Sequence, residues 1–388
     1  MNTLSTSATI HKAAIPSLTV ESKKQRSILV LTPDLKNVCG VSNYYNTIRL
    51  DASEHQVDYF HVNTTIAESK SKKITRLLSN YWRFTKRAAS SNYDLIHINP
   101  SFNRNSFFRD AVFCMLAILC QKKFLIFFRG WSDELENKVR HAALYRTIFN
   151  YSYKRCKHFI VLGNRFKSKL EGLGINQSQF WLETTVADSS YLPELSLDKK
   201  LESFDRDEIN ILFISRIIEE KGIYIALDAF RILREENPDR KLNLIVAGGG
   251  KDLEAARQYA QDKGIHSVRF TGFVRGAQKK DVFLKSHILL FPTYYNEGMP
   301  NCILEGMLYG MPVVSRYNAA IPDVVTHEEN GLLTESKDPY IFSDFLGRLV
   351  SDRELYKNIA VANYEKASTN FTMEKVKERI LGIYAQLL

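Results

Sequence analysis

The stretch from His287 to Ser315 constrains the fold of this 388-residue chain more than any other. It opens with the apolar run His287 to Phe291, which has the length and composition of a buried strand. Pro292 to Gly298 then form a loop at the strand's carboxyl end. Pro300 suits a helix start, where its missing N–H costs nothing, and Gly310 with Pro312 stops that helix before Val313 to Ser315 begin another strand. Strand, loop, helix and strand within about thirty residues make a βαβ unit, which forces a parallel sheet. Ligands of such units bind outside the carboxyl ends of the strands. Glu297 in the loop and Glu305 in the helix, eight positions apart, therefore address one crevice, and the amides at the helix start suit an anion such as a diphosphate.

The same alternation runs through the chain. Ser27 to Thr32, Asp94 to Ile98, Phe124 to Phe128 and His158 to Leu162 are expected strands of a first unit. Asn210 to Ile214, Asn243 to Ala247, Ser267 to Phe270, His287 to Phe291 and Pro312 to Ser315 are those of a second. Amphipathic stretches separate them, so the expectation is an α/β chain of two doubly wound units in tandem. We place a polar, disordered tail at 1–25, a first domain at 26–190, a linker at 191–208 and a second domain at 209–372. Residues 373–388 form a terminal helix whose Val376, Ile380, Ile383, Tyr384 and Leu387 offer a docking face to the first domain.

Composition excludes some classes. No apolar run reaches the eighteen residues of a membrane span; the longest, Ala111 to Cys120, suits a core helix. Five scattered cysteines lack metal-ligand spacing and fit a reducing cytosol, and the Ser/Thr-rich amino terminus has no apolar signal core. The net charge of +10 is uneven: residues 1–190 carry 27 Lys and Arg against 14 Asp and Glu, whereas 191–388 carry 26 against 29. The surplus gathers in Lys70, Lys72, Lys73, Arg76, Arg83, Lys86 and Arg87, interleaved with Ile74, Leu77, Leu78, Tyr81, Trp82 and Phe84. This is either a helix resting on an anionic membrane surface or a core-facing helix with a solvated basic face. No recognition motif supports nucleic acid.

Several strand ends carry chemistry. Ser215-Arg216-Ile217-Ile218-Glu219-Glu220-Lys221-Gly222 places two cations before a helix. They either grip phosphate oxygens or pair with Glu219 and Glu220 on a surface loop. Gly40 opens a helix after the first strand, as a ligand contact or a turn. Gly248-Gly249-Gly250 reads as a flexible loop and does not meet the dinucleotide fingerprint. Thr271-Gly272-Phe273-Val274 offers a ring to a nucleobase, or a turn with a core Phe. Arg129-Gly130-Trp131 sets a cation and an aromatic, which suits a sugar face, at another strand end; His97 is expected to pack beside the sheet.

Together these residues resemble glycosyltransferase family 4, retaining enzymes of the GT-B fold with two facing Rossmann-like domains and a carboxyl-terminal helix crossing back to the first. The resemblance covers about Ser27 to Leu388 and is strongest from Asn210 to Gly331. It implies transfer of a sugar from a nucleotide-diphosphate sugar, UDP- or GDP-linked, to an acceptor hydroxyl with retention, without metal or cofactor. It implies that Glu297, Arg216 and Lys221 are catalytic, with Glu297 by the sugar and the cations on the diphosphate. It also implies that Glu305 holds the ribose, that amides of Gly298, Met299, Asn301 and Cys302 hold phosphate or sugar oxygens, and that Phe273 and Val274 seat the base. Gly40 and Gly248 complete the donor contacts, and Arg129 and Tyr295 are contacts for sugar or acceptor.

Two positions depart from the family. Cys39-Gly40 stands where many relatives have paired glycines. Arg129 stands where many carry histidine, and is expected to meet an acceptor phosphate or a sugar carboxylate. The implied setting is cell-surface polysaccharide or glycolipid synthesis on a glycan or lipid-linked acceptor, in the cytoplasm or peripherally on the membrane's inner face. The alternatives are a GT-B epimerase or phosphorylase, the latter needing a pyridoxal-phosphate lysine, and a non-catalytic glycan or nucleotide-sugar binding module.

Overall fold

A computed structural model describes residues 26–37, 39–51, 53, 55–62, 69–90, 92–190, 196–204, 208–295 and 298–388. The tail 1–25 and Glu297 lie outside the described residues, as does part of the expected linker.

The first domain runs β1 (Ser27–Thr32), α1 (Gly40–Ile48), β2 (Gln56–His61), α2 (Lys70–Ala89), β3 (Leu95–Ile98), β4 (Ser101–Phe102), α3 (Arg104–Leu119), β5 (Phe124–Phe128), β6 (Gly130–Trp131), α4 (Asp133–His141), α5 (Ala143–Tyr151), β7 (His158–Val161), α6 (Asn164–Gly172) and β8 (Gln179–Leu182). Its main sheet is parallel in the order β2-β1-β3-β5-β7-β8. The central strands β3 and β5 are buried at every position because helices cover both faces.

The second domain runs α7 (Leu197–Phe204), β9 (Glu208–Ile214), α8 (Ile223–Glu236), β10 (Lys241–Ala247), α9 (Leu253–Asp262), β11 (Val268–Gly272), α10 (Gly276–Lys285), β12 (Ile288–Phe291), α11 (Asn301–Leu308), β13 (Val313–Arg316), α12 (Ile321–Val324), β14 (Gly331–Thr334), α13 (Pro339–Ser351) and α14 (Arg353–Asn370). Its sheet, again parallel, has the order β11-β10-β9-β12-β13-β14. In both sheets the first strand lies inside, so the order reverses beside it and opens a crevice there. The two sheets form the α/β, two-Rossmann architecture of a GT-B chain.

The last helix, α15 (Met373–Leu387), is started by the Thr372 hydroxyl, which accepts from Lys375 N. Its buried face is the expected Val376, Ile380, Ile383, Tyr384 and Leu387. It crosses to the first domain: Tyr384 Oη lies 2.6 Å from His97 Nδ1, Lys123 Nζ donates to Leu387 O at 2.6 Å, and Lys377 Nζ donates to Arg49 O at 2.8 Å.

The polar segment 191–208, expected as linker, contains α7. Its charged sequence hides a packing role, for Lys200 is buried with Nζ donating to Phe283 O at 2.7 Å, and Phe204 stacks on Tyr356 at 3.5 Å. The helix thus belongs to the second domain. Strands β2, β8 and β14 lie outside the expected set: β8 is only half-buried and β14 opens on a glycine, so neither shows a strong apolar run.

Candidate active site

The carboxyl ends of both sheets meet at one cleft, and one close approach is at Gly298. A Cβ there would sit 2.6 Å from Leu162 Cδ1 and 3.0 Å from Arg129 O, so the first domain presses against the loop entering α11. Thr185 Oγ1 donates to Met299 O at 3.3 Å across the same seam. Pro300 caps α11, and Gly310, at φ +63, terminates it in the left-handed region as its glycine required.

Arg216 and Lys221 converge on the loop after β12. Lys221 ends a short 3-10 turn, and Gly222 follows at φ +85 with Pro292 O 2.4 Å from where its Cβ would be. Only glycine lets the turn pack so closely on that loop. The result is that Lys221, buried, has Nζ 4.7 Å from the Tyr295 ring centre, while Arg216 Cζ lies 5.3 Å from it. Tyr295 is therefore flanked by two cations. The Glu219 carboxylate is engaged elsewhere, accepting from Tyr294 Oη, while the backbone carbonyl of Glu220 accepts from Tyr294 N.

The glycine run after β10 is tightly packed rather than a flexible loop. A Cβ on Gly248, at φ +144, would lie 1.7 Å from Ser215 O, and one on Gly250 2.1 Å from Ile217 O. These glycines let the ends of β9 and β10 close on each other. Phe273 is 64% exposed, so it is not a core residue, while its neighbour Val274 packs against the core. A Cβ on Gly40 would meet nothing within 4 Å, and Cys39 provides no side-chain cap, so α1 presents an open amino terminus.

Glu305 is buried, and Lys279 of α10 donates to its Oε1 at 2.5 Å. A small cavity of about 20 Å³ opens there between Asp188, Gly276, Lys280 and Tyr309. Burial raises the Glu305 carboxyl above the ordinary range; Lys279 opposes that rise without cancelling it. Met299 is buried, and Asn301 and Cys302 are half-buried in the first turn of α11.

In the first domain, the Arg129 guanidinium lies 4.0 Å from the ring centre of Tyr44 and 4.2 Å from that of Phe127. Its Nη1 and the Tyr44 hydroxyl are buried without hydrogen-bond partners. His97 packs as expected: it is fully buried, and burial, then the charge of Arg129, pushes its pKa down to about 3. Trp131, read in the sequence as an aromatic suited to a sugar face, keeps little of its ring open. It is buried against Phe102 at 4.4 Å with Nε1 donating to Glu136 at 2.8 Å.

Sequence reasoning missed Lys279, Thr185 and the contact of Leu162 with Gly298. Each acts across elements far apart in the chain, and no local pattern marks them.

The architecture matches solved GT-B glycosyltransferases. Anabaena HepE in complex with UDP superposes with a TM-score of 0.72 at 16% identity, covering 93% of this chain and all of that one, 100%. Residues 197–366 match the family model of glycosyl transferases group 1. Among sequence relatives, an uncharacterised glycosyltransferase of Methanocaldococcus jannaschii is 21% identical over 313 residues, 79% of each chain. The amylovoran biosynthesis glycosyltransferase AmsK of Erwinia amylovora is 24% identical over 288 residues, 68% of this chain and 70% of that one. The D-inositol 3-phosphate glycosyltransferase of Corynebacterium diphtheriae is 28% identical over 177 residues, and the match spans 44% of this chain and 41% of that one. Together these findings support a glycosyltransferase of the GT-B fold.

Proposed function

We propose that this chain transfers a sugar from a nucleoside-diphosphate donor to an acceptor hydroxyl with retention at the anomeric carbon, in the assembly of a surface polysaccharide or glycolipid. The observation that carries the reading is the convergence of Arg216 and Lys221 on Tyr295, in the loop that leads to the amino terminus of α11. A diphosphate bound there meets two cations and the helix's positive end, all aimed where charge develops as it leaves. The bond from the anomeric carbon to the diphosphate breaks, a bond to the acceptor oxygen forms, and the acceptor proton passes to the departing diphosphate. Glu297 is assigned to the sugar, and Glu305, held by Lys279, to the ribose hydroxyls. The exposed ring of Phe273 and the backbone of Val274 flank the base. Tyr295, between the cations, contacts the sugar or acceptor.

UDP is the favoured carrier, since the similar HepE structures hold UDP and UDP-glucose. A polysaccharide setting follows the amylovoran relative. No helix among the described residues is long and apolar enough to cross a membrane; a lipid-linked acceptor would be reached through α2 on an anionic surface.

A thermal-shift panel of UDP-, GDP- and ADP-sugars tests the donor class, because a ligand of the folded state raises its apparent stability. Nuclear magnetic resonance of the product's anomeric signal then tests retention. No shift with any nucleotide sugar, or an inverted product, would overturn the corresponding part of the reading.

A further inference from the structure

We propose that Arg129 is the core of an oxyanion site, so that one of the two sugars brought together in the cleft bears a carboxylate or phosphate. This rests on the reading of the cleft as a sugar-transfer site. The guanidinium is clamped between the rings of Tyr44 and Phe127, 4.0 and 4.2 Å from their centres, which fixes the plane of its donor fork. Its Nη1 is buried with no well-formed hydrogen bond, and the similarly buried Tyr44 hydroxyl beside it is within its influence without satisfying it, while the residue as a whole stays partly accessible. A desolvated charged donor left unpaired is costly, and native proteins rarely retain one without a use.

Other cations in similar settings are neutralised inside the chain. Arg109 pairs with Asp110 at 2.6 Å and Lys279 with Glu305 at 2.5 Å. Arg379 donates to both oxygens of Glu183, which commits the carboxylate that stands nearest Tyr44 in charge. His97 stays neutral beside Arg129. The positive field is therefore uncompensated among the described residues. The open amino terminus of the nine-residue helix α1, one turn before Tyr44, adds to it.

Position narrows what meets this charge. The Arg129 carbonyl lies 3.0 Å from a Cβ position on Gly298, so the backbone of Arg129 borders the loop assigned to the donor sugar, with its guanidinium beside Tyr44 of α1. A neutral hexose offers that fork only hydroxyls. A uronate carboxylate or a sugar phosphate offers two oxygens to accept its parallel N–H donors.

The test is calorimetry on the full chain and on Arg129→Gln and Arg129→Lys, using UDP, UDP-glucose and UDP-glucuronate, and then glucuronate and inorganic phosphate with and without saturating UDP. If the donor carries the anion, UDP-glucuronate binds at least tenfold more tightly than UDP-glucose, and Arg129→Gln abolishes that preference. If the acceptor carries it, glucuronate or phosphate binds the UDP-loaded protein and the same variant loses that binding. In either case Arg129→Lys keeps part of the preference, because the charge stays and the fork is lost, and UDP alone binds all three proteins equally. The proposal is overturned if no anionic probe is preferred, or if the preference survives in Arg129→Gln. Should UDP fail to bind, the same arms are run with GDP, GDP-mannose and GDP-mannuronate; binding of no nucleotide overturns the sugar-transfer reading, and the free anions still decide the role of Arg129.

Discussion

Lys279 Nζ stands 2.5 Å from Glu305 Oε1, so the carboxylate assigned to the ribose is already held in place by a cation from the preceding helix. Glu305 is buried while the Lys279 side chain keeps 29% of its exposure. The pair thus balances the desolvation of one partner against the reach of the other. Burial by itself lowers the Lys279 ammonium, and the neighbouring carboxylate outweighs it, leaving the pKa raised.

From this pairing, Lys279→Met should make nucleotide binding more sensitive to acid. Glu305 already titrates above the ordinary carboxyl range because it is buried, and loss of the cation moves it further up. As pH falls through that value the charge that accepts ribose hydroxyls is lost, so UDP affinity should drop at a higher pH in the variant than in the parent. The variant should also lose about 1–3 kcal/mol of stability, less than a fully buried pair because Lys279 is partly solvated. Calorimetry with UDP from pH 8 to 5 checks this, and identical profiles for the two proteins would refute it.

Lys221→Ala and Arg216→Ala should each lower turnover by about 10²–10³, the cost of removing one donor aimed at developing charge. Lys221 should cost more, since it is buried and lies closer to the Tyr295 ring, 4.7 Å against 5.3 Å. Glu297→Gln should remove most transfer while UDP still binds. Steady-state rates with unchanged circular dichroism are the measurement; near-normal turnover in any of these variants would dismiss its assigned role.

What could be read from the chain follows burial. Strands buried on both faces, such as Phe124–Phe128 and Ile288–Phe291, are continuous apolar runs, and the stripe of Val376, Ile380 and Tyr384 shows the docking face of α15 directly. The half-buried edge strand Gln179–Leu182 has no such run. In Leu197–Phe204 the charge of Lys200 masked a helix whose lysine is buried. At the site, strand-end position located Arg216, Lys221 and Glu305, because parallel topology alone sends those residues to one edge. Partners were invisible: Lys279 reaches Glu305, and Tyr295 joins two cations, only through tertiary packing. Trp131 turned out buried, and of the two readings of Phe273 the exposed one holds, since a lone aromatic at a strand end does not reveal which way it turns.

Helix α2 should bind anionic bilayers through a specific stripe. Phe84 and Ala88 are buried toward the domain, which a core-facing helix explains, but Ile74, Leu78 and Trp82 are 61%, 63% and 66% exposed at four-residue spacing. Lys72, Lys73, Arg83, Lys86 and Arg87 are exposed on the same helix, which contains no acidic residue. An apolar ridge among cations fits the boundary of an anionic surface, each fully buried large side chain contributing about 1.5–3 kcal/mol. Ile74→Asp with Trp82→Asp should weaken cosedimentation with phosphatidylglycerol vesicles at least tenfold, with turnover on a soluble acceptor unchanged. Trp82 fluorescence in the parent should shift to the blue on binding; vesicle binding equal in both proteins would return α2 to a solvated face.

Lys200→Met should stabilise the protein. Burial pushes the Lys200 ammonium from 10.5 down to about 7, and its Nζ donates to the neutral carbonyl Phe283 O, at 2.7 Å, rather than to a carboxylate. A base whose pKa is lower folded than unfolded lets the unfolded chain bind more protons between about 7 and 10.5, so stability rises with pH across that window and the full penalty is present below it. His97 and His287, pushed down to about 3 and about 4 by burial, extend the same sign of dependence below 6.5. Replacing the ammonium with an apolar side chain removes the desolvation cost and forfeits one hydrogen bond, for a net gain of about 1–3 kcal/mol at pH 7. Thermal melts should show a midpoint higher by about 2–4 °C for each kcal/mol, with the slope between pH 7 and 10 flattened. A lower midpoint with the parent's slope retained would mean that Lys200 keeps its proton in the fold as it does in the unfolded chain, and that its bond to Phe283 is worth more than its burial costs.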